Sequence, residues 1–147
     1  MLMIPENNPR KDWKEITMND YFLDSNIIID FLLKRPKSIK ILESISINNM
    51  PSTSPVCIAE VQLGVKKGEE DKTNQFLDSL IIYDLTKDIA NLTGKFIREC
   101  KEIGKTLNLI DTLIASTCII HDLILVTYNI KHYFIKDLRL FDTNKIS

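Results

Sequence analysis

The 147-residue sequence has few of the residues on which specialised small folds depend. Its three cysteines, Cys57, Cys100 and Cys118, are an odd number without a C-x-x-C pair, which argues against a disulfide framework. Four glycines and five prolines are too few for a low-complexity or collagen-like chain. We therefore expect an ordinary globular protein with reduced, buried thiols.

The sequence also lacks long hydrophobic runs and an excess of charge of one sign. Charged or polar residues interrupt every apolar stretch well before the roughly 20 residues that span a bilayer. The N-terminus has no basic-then-apolar pattern of a secretion signal. These features predict a cytoplasmic protein without a membrane partner. The net charge of −1 gives no whole-molecule field for nucleic acid, so any RNA contact must come from a local basic patch.

The chain is long enough for one domain, but its beginning differs from the rest. Residues 1–17 contain Pro5, Pro9 and the single tryptophan, Trp13, and show no sustained hydrophobic periodicity. We interpret residues 1–17 as an N-terminal extension and residues 18–147 as the compact domain.

Short apolar runs alternate with longer amphipathic segments from Tyr21 onward. Strands are predicted over residues 21–23, 81–85, 123–127 and 138–141, and a turn with a short strand over 49–54. Helices are predicted over residues 25–33, 36–48, 55–68, 69–80, 86–103 and 110–121, and one further turn over 130–134. Ser25 or Asn26 is predicted to cap the first helix, and Ser54 followed by Pro55 marks the start of the third. This alternation predicts a largely parallel sheet covered by helices on both faces.

Three carboxylates lie inside apolar sequence close to the predicted ends of these elements. Asp24 follows the first strand in FLDSNIIID (22–30), Glu60 lies in AEVQLG (59–64), and Asp111 begins a helix in IDTLIAS (110–116). Ionised carboxylates are costly to bury unless they are paired, so a buried cluster of them requires a cation, and a hard ion with oxygen ligands suits them. Each also has a simpler interpretation, with Asp24 and Asp111 as helix caps and Glu60 as a solvated side chain.

Two further groups of residues would suit a phosphate-containing substrate. Thr127 and Asn129, at the end of a buried strand, would hold a phosphate or a metal-bound water, or would simply form a turn. Basic residues follow two of the helices, either as a phosphate-binding patch or as solvated helix ends: Lys34, Arg35, Lys37, Lys40, Lys66 and Lys67.

Four segments together resemble the motif set of PIN-domain ribonucleases, in particular the VapC-like toxins of toxin–antitoxin pairs. They are FLDSNIIID, SPVCIAEVQLGV, IDTLIAS and LVTYNIKHYF, in the family's order, and the resemblance covers roughly residues 20–142. It implies a three-layer α/β sandwich with a mainly parallel central sheet flanked by helices. It also implies an endoribonuclease that uses Mg²⁺ or Mn²⁺, in which Asp24, Glu60 and Asp111 are the catalytic and metal-binding residues.

The resemblance extends to substrate and partners. Thr127 and Asn129 match the family's strand-end pair and would contact RNA. The family often has a fourth acid where this chain has His132, so a second metal is doubtful here, and we predict that His132 contacts the substrate instead. Family members usually form homodimers and bind a cognate antitoxin, which implies both partners. NPRKDWKE (8–15) resembles the C-terminal tail of such antitoxins, which implies an inhibitory extension.

Two other functions remain open at this point. A phosphatase would use a strand-end aspartate as its nucleophile, but it usually needs a second aspartate two positions on, where this chain has Asn26. A catalytically inactive PIN domain would bind RNA or protein without cleaving it, and the missing fourth acid favours that alternative. Retention of all three carboxylates favours the nuclease.

Overall fold

The computed structural model describes residues 20–47 and 50–146, so the predicted extension at 1–17 lies outside the described residues. Within them, five parallel strands form one sheet in the order β3-β2-β1-β4-β5. The strands are β1 (Tyr21–Leu23), β2 (Ser52–Thr53), β3 (Ile81–Ile82), β4 (Ile124–Val126) and β5 (Arg139–Leu140). This arrangement confirms the predicted parallel α/β architecture.

Helices connect the strands and cover the sheet. Those of the described residues are α1 (Ser25–Leu32), α2 (Pro36–Ile45), α3 (Pro55–Leu63), α4 (Glu70–Asp78), α5 (Lys87–Glu102) and α6 (Leu109–Ile120). Single 3₁₀ turns follow at Ile130–His132 and Thr143–Lys145. No helix among the described residues is long and apolar enough to cross a membrane.

Several boundaries differ from the prediction. The third helix ends at Leu63 instead of continuing to residue 68, because the chain turns at Gly64 and Gly68 has a positive φ of 93°. The strands predicted over 81–85 and 138–141 shrink to two residues each. β3 and β5 are the two edge strands, so each has one neighbour to pair with, and its length depends on that neighbour more than on its own apolar run.

Two apolar clusters lie on opposite faces of the sheet, and the central strand β1 supplies both. Phe22 belongs to the cluster under α6, while Leu23 belongs to the cluster under α1, α2 and α4. Both side chains are fully buried. Successive residues of a strand point to opposite faces, so two adjacent apolar residues require helices on both sides. This three-layer packing fixes the carboxyl end of β1, where Asp24 follows.

Candidate active site

Asp24 occupies the carboxyl end of the central strand and is only 4% exposed. Its backbone N–H donates to the Val126 carbonyl at 3.0 Å, which continues the pairing of β1 with β4. Its Oδ1 accepts a hydrogen bond from the Ser25 N–H at 2.8 Å, so Asp24 itself caps α1. The prediction of Ser25 or Asn26 as this cap was wrong, because the chain enters the helix one residue earlier.

The other oxygen of Asp24 is surrounded by uncharged donors. Oδ2 accepts from the Thr127 hydroxyl at 2.8 Å, from the Tyr133 hydroxyl at 3.0 Å and, more weakly, from the Asn26 amide at 3.5 Å. These donors fix the direction of the carboxylate. They bring no positive charge, so they leave its charge available to a cation.

Glu60 reaches the same point from α3. Its Oε1 accepts from the Ser25 hydroxyl at 3.0 Å, and Ser25 directly follows Asp24. Burial raises the pKa of the Glu60 carboxyl, the nearby charges of Asp24 and Asp111 raise it further, and the Ser25 hydrogen bond opposes them. The half-buried, hydrogen-bonded position contradicts the interpretation of Glu60 as a solvated surface residue.

Asp111 lies in the first turn of α6, but Asn108 is the cap of that helix. Asn108 Oδ1 accepts from the Asp111 N–H at 3.1 Å, which leaves the Asp111 carboxylate free to face Asp24. The Oδ1 atom of Asp111 accepts a hydrogen bond from the Tyr133 hydroxyl at 3.4 Å, and its Oδ2 atom lies 3.5 Å from His132 Nδ1. Burial and the charge of Asp24 raise the pKa of Asp111, whereas His132 and Tyr133 act in the opposite direction. The interpretation of Asp111 as a cap was therefore wrong.

Tyr133 links two of the carboxylates and was not anticipated from the sequence. Its ring is 4% exposed, and its hydroxyl lies between Asp24 and Asp111. Burial and the two carboxylates raise the pKa of this phenol above its usual range, so the hydroxyl keeps its proton and acts as a donor. The residue follows a single 3₁₀ turn, in a mixed run of polar and apolar residues where no periodicity marks it as buried.

The three residues expected to contact substrate are placed differently from one another. Thr127 is fully buried at the end of β4, and its hydroxyl accepts from the Asn129 N–H and the Asn26 amide while donating to Asp24. The side chains of Asn129 and His132 are exposed, and His132 faces Asp111. Thr127 thus supports Asp24 from the buried side, His132 lies beside Asp111, and Asn129 is exposed two residues beyond Thr127.

Cys57 was not singled out as a site residue, yet its thiol also faces Asp24. The thiol is fully buried on α3 and donates to Asp24 Oδ1 over 4.0 Å. One ligand atom each from Asp24, Cys57 and Glu60 lies within 4.8 Å of the others. Burial raises the pKa of the thiol to about 12, so it is protonated at neutral pH.

The site carries carboxylates without a lysine or arginine close enough to pair with them among the described residues. Among the described residues, no lysine or arginine forms an ion pair with Asp24, Glu60 or Asp111, and the imidazole of His132 is 60% exposed. Like charges held close together resist ionising together unless a cation compensates them. The site therefore has the chemistry of a hard-cation site at the carboxyl edge of a parallel sheet, where such folds carry their functional crevice.

Comparison with known proteins gives a consistent set of relatives. The family model of the PIN domain matches residues 21–137. Ribonuclease VapC2 of Rickettsia felis is 34% identical over 119 residues, which are 77% of this chain and 89% of that protein. Ribonuclease VapC2 of Haemophilus influenzae is 30% identical over 122 residues, or 79% and 91% of the two chains.

Solved structures give the same result for the fold. VapBC2 from Rickettsia felis, bound to a DNA fragment from the promoter, superposes with a TM-score of 0.72 at 32% identity and covers 82% of this chain and 96% of the other. A toxin–antitoxin complex from Klebsiella pneumoniae superposes with a TM-score of 0.71 at 28% identity and covers 84% and 98%.

Proposed function

The chain belongs to the PIN-domain family, and from that premise we propose that it is a divalent-metal-dependent endoribonuclease acting as the toxin of a toxin–antitoxin pair. One observation carries the proposal above the others. Asp24, Glu60 and Asp111 come from three separate elements and converge at the carboxyl edge of the sheet, with shared hydrogen-bond donors. Relatives that cover most of this chain are named ribonucleases.

The donor set fits a hard divalent cation. Asp24, Glu60 and Asp111 would hold Mg²⁺ or Mn²⁺, both of which prefer oxygen ligands and keep several waters. The raised pKa values of Glu60 and Asp111 agree with this assignment, because burial and, after it, the neighbouring carboxylates disfavour the ionised forms, and a bound cation would favour them. When bound, the ion supplies an activated water and offsets charge on the attacked phosphate.

The remaining polar residues of the site would position the carboxylates. Thr127 and Tyr133 hold one oxygen of Asp24, and Ser25 holds Glu60, so each acid is oriented before any ion or substrate arrives. Preorganised ligands lose little freedom on binding, which favours both affinity and rate. We therefore assign Thr127 to positioning and retain the exposed residues Asn129 and His132 as the proposed substrate contacts.

RNA binding requires a cation close to this acidic edge, and Lys37 is a basic residue next to it. Its Nζ lies 5.6 Å from the centre of the Tyr128 ring. Tyr128 follows Thr127, and its N–H donates to Asn26 Oδ1 at 3.1 Å, so this lysine borders the strand end that carries the site. A lysine there would bind a phosphate next to the one that is cleaved.

A cognate antitoxin and a second copy of the chain are the proposed protein partners. The similar structures from Rickettsia felis and Klebsiella pneumoniae are toxin–antitoxin complexes, which supports the antitoxin. The homodimer rests on the family resemblance alone.

A cleavage assay separates the proposed function from its alternatives. Purified protein is incubated with end-labelled RNA and with a phosphomonoester, each with Mg²⁺, with Mn²⁺ and with a chelator. The nuclease cuts RNA internally only when metal is present. Release of phosphate from the monoester alone would indicate a phosphatase. RNA retention without cleavage under every metal condition would indicate an inactive binding domain.

A further inference from the structure

Helix α3 presents a thiol and a carboxylate to the same point. Cys57 and Glu60 are three residues apart, which places them on one face of the helix. Both face Asp24: the thiol lies 4.0 Å from its Oδ1, and one ligand atom from each of the three residues lies within 4.8 Å of the others. The sulfur and the two carboxylates therefore lie close enough together to bind one metal ion.

The surroundings of Cys57 provide a second, independent observation. Ser54, one turn before it, is 3% exposed, and among the described residues its hydroxyl has no hydrogen-bond partner. The Ser54 hydroxyl lies beside the Cys57 sulfur, whereas the neighbouring Thr53 hydroxyl donates to the Leu23 carbonyl at 2.9 Å. A buried donor without an acceptor is costly. A sulfur that carries negative charge toward a metal would give Ser54 its acceptor.

The two kinds of divalent ion would use this group differently. Mg²⁺ takes oxygen ligands and leaves a thiol protonated. Zn²⁺ and Cd²⁺ accept sulfur and carboxylate oxygen together; for Zn²⁺ the bonds are about 2.3 Å and about 2.1 Å long, and a fourth position often remains open.

We infer that Asp24, Glu60 and Cys57 form a mixed sulfur–oxygen site that binds Zn²⁺ or Cd²⁺ and thereby inhibits the reaction supported by Mg²⁺. On binding, the thiol releases its proton to water as the sulfur–metal bond forms, and nothing is oxidised or reduced. The ion occupies the two carboxylates that the hard cation needs. The inhibition rests on the proposed function, whereas the binding does not.

Cadmium reports the sulfur directly, in the absence of RNA. CdCl₂ is titrated into the metal-free protein, and the ultraviolet charge-transfer band of a cadmium–thiolate bond is followed. The native protein and Cys100→Ser, a matched control on α5, should develop the band at one equivalent, and Cys57→Ser should not. No band in the native protein, or an equal band in Cys57→Ser, would overturn the inference.

Zinc affinity gives a second readout. A zinc-binding dye in competition should show at least a tenfold weaker affinity for Zn²⁺ in Cys57→Ser, equivalent to about 1.4 kcal/mol, while the affinity for Mg²⁺ changes much less. Cys57→Ala replaces the serine variant if circular dichroism shows that the buried hydroxyl disrupts folding. Equal losses of Zn²⁺ and Mg²⁺ affinity would indicate a general structural defect and contradict the site.

RNA cleavage then tests the inhibition. With Mg²⁺ in excess, micromolar ZnCl₂ should suppress cleavage by the native protein and by Cys100→Ser, and a higher concentration should be needed for the Cys57 variant. Zinc binding without any loss of cleavage would refute the inhibitory role. A cadmium band in a protein that cleaves no RNA would refute the proposed nuclease and leave the sulfur–oxygen site standing.

Discussion

Individual side chains decide how much charge the site leaves for a metal. Asp24 is held by hydroxyl and amide donors from Ser25, Asn26, Thr127 and Tyr133, and none of these groups is charged. A positively charged donor beside Asp24 would compete with the cation for the same oxygens. Neutral donors orient the carboxylate without neutralising it.

Tyr133→Phe tests this positioning. The substitution keeps the buried ring and removes the hydroxyl shared by Asp24 and Asp111. A hydrogen bond to a charged group contributes roughly 1.5–3 kcal/mol, so we expect a loss of about tenfold to a hundredfold in Mg²⁺ affinity or in cleavage rate. Isothermal titration calorimetry and initial rates measure the two quantities.

The control for this variant is Tyr21→Phe, which removes a hydroxyl at the opposite end of β1 and should change neither quantity. Metal affinity and rate that stay unchanged in Tyr133→Phe would contradict the positioning role.

Asp111→Asn should stabilise the metal-free protein. The pKa of Asp111 is raised in the folded chain, so the folded state binds its proton more tightly than the unfolded state does. Its ionisation therefore lowers stability as the pH rises from the ordinary carboxyl range through the raised pKa, and the loss is complete once the pH exceeds that raised pKa. A neutral amide removes this loss, and the melting temperature should rise by a few degrees at most.

Differential scanning fluorimetry at neutral pH, with and without Mg²⁺, checks this prediction. With Mg²⁺ the native protein should instead have the higher melting temperature. A ligand stabilises the state that binds it, and the variant binds Mg²⁺ poorly. A metal-free variant that melts below the native protein would contradict the assignment of uncompensated charge to Asp111.

The arrangement of the elements explains which parts of the site were predictable. β1 and β4 are parallel neighbours, so the residues after each strand, Asp24 and Thr127, meet at one edge, as the alternation of strands and helices implied. The contacts of Ser25, Cys57 and Tyr133 were not predictable. Tyr133 lies 109 residues from Asp24 and reaches it from an irregular turn, where neither spacing nor periodicity specifies a direction.

The lengths of the elements were less predictable than their order. The apolar run at 81–85 favours a strand, yet the strand itself covers two residues, Ile81 and Ile82, which are both exposed at the sheet edge. One further hydrogen bond, from the Tyr83 N–H to the Thr53 carbonyl, ends its pairing with β2. The length of an edge strand depends on where its single neighbouring strand ends, and that neighbour is distant in sequence. Intrinsic preference for extended structure therefore sets the position of the strand but not its extent.

Lys37 on α2 offers a test of the proposed RNA path. Lys37→Ala should weaken RNA binding and reduce the salt dependence of binding by roughly one phosphate contact, since each such contact releases a counterion. Filter binding with Ca²⁺ in place of Mg²⁺, at several salt concentrations, gives this dependence as the slope of log affinity against log salt concentration.

Lys95→Ala is the matched control for this change. Lys95 pairs with Glu99 on the exposed face of α5, so its loss should leave the slope unaltered. Identical slopes for the native protein and Lys37→Ala would show that Lys37 does not contact an RNA phosphate.

At the scale of the whole molecule, a net charge of −1 leaves recognition of RNA to a local surface. An intramolecular inhibitor would need a cation that reaches the acidic site. Residues 1–17, which we interpret as an N-terminal extension, contain Arg10 and Trp13 and are the proposed inhibitor. Tethering raises the effective concentration of even a weakly binding segment.

Removal of the extension should therefore raise the rate of RNA cleavage. We expect a chain beginning at Met18 to cleave severalfold faster than the full chain at equal metal and protein concentration, with Arg10→Ala intermediate, because the bidentate guanidinium no longer competes for the carboxylates. Equal rates in all three proteins would show that the extension does not inhibit.

The central claim is that Asp24 directs metal-dependent RNA cleavage, and one pair of variants tests it most directly. Asp24→Asn keeps a helix cap but loses the charge, and Asp122→Asn makes the same change at an exposed residue whose positive φ of 54° suits asparagine. With Mg²⁺ and labelled RNA, Asp24→Asn should lose at least about a hundredfold in rate, equivalent to about 2.7 kcal/mol, and Asp122→Asn should match the native protein. A folded Asp24→Asn that cleaves RNA at the native rate would contradict the account.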